Sequence, residues 1–116
     1  MHFGMTEEQA MIVETTRAFV ENELYPHELE IERSGHLDMD LVKEIQTKAI
    51  EAGLYAANMP EEVGGAGLDT LTWLMYEKEL GRANYALHWT GVARPSNILL
   101  AGTKEQKEKY LFPCIR

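Results

Sequence analysis

The chain has 116 residues, 45% hydrophobic and 26% charged, a balance that suits one soluble globular domain with a real core. Its 19 acidic residues outnumber 11 basic ones, and the net charge of −8 argues against nucleic acid or an anionic membrane surface as a partner. Cys114 is the only cysteine, which excludes an intramolecular disulfide and favours a cytoplasmic or other reducing compartment.

The start, "MHFGMTEEQAM", carries neither a cationic leader nor a long apolar run, so no signal peptide or membrane span is read there. Thr6 followed by Gln9 reads as a capping box opening a first helix, with Glu7 and Glu8 in its first turn. Ile12, Val13, Thr16, Phe19, Val20 and Leu24 follow at helical spacing as one apolar stripe. Pro26 should break or kink this helix, "HELEIER" should add a further turn or two, and Ser34-Gly35 should end it. A second helix is expected from Asp38, with Leu41, Val42, Ile45, Ala49 and Ala52 as its apolar face and Gly53 closing it. "LYAANMP" reads as a short extended crossing of the core.

"PEEVGGAGLD" comes next. It has no preceding strand, no Gly-x-Gly-x-x-Gly and no P-loop lysine, so it reads as a glycine-permitted bend and not as a phosphate cradle. Asp69 should cap a third helix, with Leu71, Leu74, Met75 and Lys78 along one line. Asn84 should cap a fourth, "YALHWTGVARPSNILLA", interrupted at Pro95 and ended at Gly102. Thr103 and Gln106 form a second capping box for a fifth helix that stops by Pro113. No segment alternates as a strand would, so the chain is expected to be all-α: an up-and-down bundle of about five helices forming a single domain over 1–116.

Candidate chemistry is sparse. "HELEIE" at His27 holds half of a zinc motif, but Ile31 stands where the second histidine belongs, so no metal site is expected. His88 beside Trp89 reads as a packed or surface residue, and Cys114 as an inert thiol. Composition and spacing therefore give an acidic helical domain without a catalytic residue.

Four stretches in this order, "MTEEQAMIVETTRAFVENELYPHE", "LVKEIQTKAIEAGLYAANMPEEVGGAGLD", "YEKELGRA" and "LLAGTKEQKEKYLFP", resemble the N-terminal helical domain of the acyl-CoA dehydrogenase family. The resemblance spans essentially the whole chain. "PEEVGGAGLD" and "GTKEQKEKYLFP" are its most specific parts.

The resemblance implies the first of three domains, with a middle β-domain and a C-terminal four-helix bundle to follow. It implies FAD between those two later domains, an acyl-CoA substrate, a glutamate base for the α-proton, hydride transfer from the β-carbon to the flavin, and an electron-transfer flavoprotein as acceptor. It also implies a homo-oligomer, a tetramer or dimer. Neither the base nor the flavin-binding residues of the family map onto this chain, so it should not be active alone. In the family the fourth helix lines the acyl-chain pocket, and the correspondence falls on Tyr85, Trp89 and Ala93, with Val92 next to them. Between "YEKEL" and "LLAGT" the chain is about one helical turn shorter than ordinary members, and Pro95 sits earlier than the usual proline. Related acyl-CoA oxidases and flavin-dependent monooxygenases share such an opening domain. A free-standing helical interaction module is the reading from a different class.

Overall fold

A computed structural model describes residues 4–92 and 95–115 of the chain. Helix α1, Glu7–Phe19, starts at Thr6, whose hydroxyl accepts the Gln9 N–H while Gln9 Oε1 accepts the Thr6 N–H. The capping box is therefore present as the spacing predicts. Val13, Thr16 and Phe19 turn inward, and buried Thr16 is satisfied by donating to the Ile12 carbonyl at 2.7 Å.

Pro26 does not end the helical run. A π-helical turn, Val20–Leu24, intervenes, closed by the Tyr25 N–H on the Val20 carbonyl, and α2, Tyr25–Ser34, continues from it. The wide turn places Pro26 in the first turn of α2, where its missing N–H leaves no ladder bond unmade. The same device recurs near the other end. Helix α6, Lys104–Gln106, runs into a second π-turn, Lys107–Leu111, two residues before Pro113.

Helix α3, Met39–Glu51, is capped by Asp38 and buries Val42, Ile45 and Ala49; Gly53 follows at φ 74°. The segment after it is not extended. Leu54, Ala56, Ala57 and Met59 are buried in consecutive turns, with Ala56 at φ 54°. Such a coil satisfies its own backbone, as when the Met59 N–H donates to the Ala56 carbonyl, whereas an extended crossing would need a strand partner.

The glycine-rich stretch is a bend, as expected. A short 3-10 turn, Glu61–Val63, leads into Gly64 at φ 100°. At Gly65 the backbone passes so close to its own loop that a Cβ would lie 2.1 Å from the Met59 carbonyl oxygen. Only glycine fits there.

Helix α4, Thr70–Leu80, packs on α1, and α5, Tyr85–Gly91, packs on α3. In α4 the buried line is Thr72, Tyr76, Glu79 and Leu80. The apolar line noted in the sequence faces out, with Leu71 58% and Leu74 53% exposed. Helix α5 ends at Gly91, and Asn97–Ala101 forms a separate 3-10 turn, so the expected fourth helix is shorter than its sequence suggests. The fold is the expected all-α one of about five helices, with no strand among the described residues. It is a slab of 43 × 42 × 20 Å with a radius of gyration of 15.0 Å, wider than the roughly 13 Å of a round domain this long.

Candidate functional site

Helix α5 carries most of the residues singled out in the sequence. Asn84 caps it, its Oδ1 accepting the Ala86 N–H at 2.9 Å. Tyr85 and Trp89, one turn apart, stack with ring centroids 5.5 Å apart and planes 14° from parallel. His88 meets the edge of Tyr85 at 5.4 Å. Tyr85 is 66% and Trp89 54% exposed, so the pair forms an aromatic plate on the outside of the domain. Val92 does not join it. The chain leaves the helix there with extended backbone, φ −126° and ψ 113°, and the Val92 side chain is fully buried in the main core. Ala93, and Arg94 beside it, lie outside the described residues.

The start of α5 is tied to α2. The Asn84 backbone N–H donates to Glu28 Oε1 at 2.6 Å, and Asn84 Nδ2 donates to Glu32 Oε1. The end of α4 is tied to α1 by charge. Glu79, nearly buried, accepts from both Nε and Nη2 of Arg17 and from Arg82 Nη1. The Arg17 hydrogen bond is the main cause that holds the Glu79 carboxyl below its ordinary value.

A small cavity of about 140 Å³ lies between the bend and α4, lined by Asn58, Leu68, Thr70, Trp73 and Asn97. Asn58 Nδ2 donates to the Pro95 carbonyl at 2.7 Å, while Asn58 Oδ1 and Trp73 Nε1 are buried without a partner among the described residues. Nothing local in the sequence marks this site. It arises where the bend, α4 and the stretch around Pro95 meet.

No group of three potential metal ligands occurs among the described residues. Cys114 is exposed and donates to the Tyr110 carbonyl. Burial, and then Cys114, push the Tyr55 hydroxyl up. At Gly65 the bend folds against its own backbone, so the close approach there is to the Met59 carbonyl of the same loop. No described helix is long and apolar enough to cross a membrane.

The family described as "Acyl-CoA dehydrogenase, N-terminal domain" matches residues 6–116. The chain belongs to this family. A 3-(aryl)acrylate reductase of Clostridium sporogenes is 34% identical over 96% of this chain and 29% of its own length. A probable acyl-CoA dehydrogenase of Bacillus subtilis, YngJ, is 34% identical over 97% of this chain and 30% of its own. A solved structure described as an electron transferring flavoprotein of Acidaminococcus fermentans superposes with a TM-score of 0.73 at 33% identity, over 99% of this chain and 30% of that one. The chain thus spans under a third of the length of these relatives.

Within the domain, the stacking of Tyr85 on Trp89 was foreseeable from their i, i+4 spacing. The ties of Asn84 to Glu28 and Glu32, 56 and 52 residues away, were not.

Proposed function

We propose that the chain is the N-terminal helical domain of an FAD-dependent enzyme that dehydrogenates acyl-CoA thioesters between the α and β carbons, and that α5 supplies part of its acyl pocket. The observation that carries this is the family match running unbroken from residue 6 to residue 116. The exposed plate of Tyr85 and Trp89 supports the pocket role: two stacked rings give a stiff apolar wall against which an acyl chain loses water. Val92, buried in the core, is left out of this proposed wall, and Ala93 enters it only by its expected correspondence. An indole at the closed end of the pocket limits chain length.

FAD is proposed for the whole enzyme, held outside this domain. So are an electron-transfer flavoprotein as acceptor, assembly as a homo-oligomer, and a cytoplasmic location. A second reading is favoured by the relative named as a 3-(aryl)acrylate reductase, matched at the same identity as the dehydrogenase. In that reading the full-length protein works in the reductive direction on an α,β-unsaturated acid derivative.

The experiment uses the full-length protein that carries this domain. It should retain flavin and reduce an acceptor dye with acyl-CoA, which the 116-residue chain alone should not do. Trp89→Ala should shift kcat/KM across straight-chain acyl-CoAs towards longer chains, each added methylene recovering up to about 0.8 kcal/mol. A uniform loss across the series would make Trp89 a packing residue and overturn the pocket role. Turnover only from an enoyl substrate and a reductant would select the second reading.

A further inference from the structure

Helix α5 has seven residues, too few to hold its own direction. Of residues 85–89 only Leu87 is buried in the core. Leu87, with Val92 just past the end of the helix, fixes where α5 sits against the core. The rotation of the helix decides where Tyr85 and Trp89 face.

A further constraint on the start of the helix comes from α2. An ordinary N-cap needs one bond, here from the Ala86 N–H to Asn84 Oδ1. Asn84 makes two more, from its backbone N–H to Glu28 and from Nδ2 to Glu32. Glu28 and Glu32 are four residues apart on one helix and so project to the same side. Both bonds have a carboxylate acceptor, which makes them stronger than neutral ones. Helix α2 is itself steadied by Ile31 in the core and by the Arg82 guanidinium 6.0 Å from the Tyr25 ring centre.

We propose that Glu28 and Glu32 are positioning residues that fix the rotation of α5, and with it the direction of the Tyr85–Trp89 plate. The effect on acyl selection rests on the pocket role proposed above; the clamp itself does not.

Asn84→Asp separates the clamp from the cap. Aspartate caps a helix as well as asparagine, but here it would set a charged oxygen against Glu32 where a donor was. In the 116-residue chain, Asn84→Asp should speed amide exchange at Leu87 and His88 about tenfold or more while exchange in α3 and α4 stays unchanged. With Trp73→Phe as background, Trp89 is the only indole, and the near-ultraviolet dichroism of its stack on Tyr85 should fall. Adding Glu32→Gln restores a donor across the gap and should recover both signals. Glu28→Gln keeps an acceptor and should change little, whereas Glu28→Leu should loosen α5. No change in α5, an increase shared equally by all helices, or no recovery in the double variant would overturn the clamp. In the full-length protein, a loosened α5 with an unaltered acyl-CoA profile would leave the clamp standing and sink the pocket role instead.

Discussion

Helices α4 and α5 are neighbours in the chain, and both show large apolar side chains, yet they are held by different means. Helix α4 is fixed along its length: Thr72 takes a bond from Gln9, the Tyr76 hydroxyl donates to the Leu54 carbonyl at 2.8 Å, Glu79 pairs with two arginines, and Leu80 is fully buried. Among the described side chains of α5, Leu87 is buried in the core, the start of the helix is tied to α2, and Tyr85 and Trp89 are exposed. The difference teaches that the two helices spend their apolar surface on separate tasks. Helix α4 is held against α1 and the loop before it by polar ties and a buried line, whereas α5 leaves Tyr85 and Trp89 exposed.

The comparison breaks first at single side chains. Leu80→Ala should lower stability by about 2–5 kcal/mol, the range for a large aliphatic lost from a packed core. Trp89→Ala, at a half-exposed position, should lie within about 1 kcal/mol of the parent. Chemical denaturation of both variants measures this; equal losses would erase the distinction.

A smaller effect is expected at the charge latch. Glu79→Gln should cost about 1–2 kcal/mol near neutral pH, discounted because both arginines are half-exposed. Arg17 first, and Arg82 second, stabilise the ionised Glu79 and lower its folded-state value. The contribution is therefore fully present above the unfolded carboxyl value of about 4.3 and is lost as pH falls through the lower folded value. Denaturation curves of parent and Glu79→Gln should converge in acid. A constant offset at every pH would mean that the latch works by shape alone.

The smallest effect belongs to the caps. Thr6→Ala and Thr103→Ala should each cost about 1 kcal/mol, and they sharpen the comparison because Thr6 opens the helix that packs on α4. A thermal shift at neither position would mean that these boxes form without stabilising anything.

The caps were legible because they are local: Thr6 with Gln9, Asp69 with Thr72, Asn84 with Ala86 and Thr103 with Gln106 all pair within three residues. The inward side of α4 was not legible. Thr72 and Glu79 look like surface residues, and the burial of Glu79 depends on an arginine 62 positions earlier. Helical spacing located the Tyr85–Trp89 plate but failed beyond Gly91, where the helix stops and Val92 turns into the core. A helical wheel extends only as far as the helix does. The cavity between Asn58 and Trp73 had no signal at all, since its walls come from segments far apart in the chain.

The π-turn at Val20–Leu24 also bears on how the length of this domain can vary. Such a turn holds one residue more than an ordinary helical turn. Deleting one residue from it would restore regular winding and leave Val13 and Thr16 before it, and Ile31 after it, facing the core as they do now. Deletions elsewhere in the run would swing everything downstream by about 100°. The shortened helix would, however, press the Pro26 ring on the carbonyl four residues earlier. The extra residue therefore makes room for the proline: a chain shortened by one residue in this turn is expected to fold better with Pro26→Ala than with Pro26 kept.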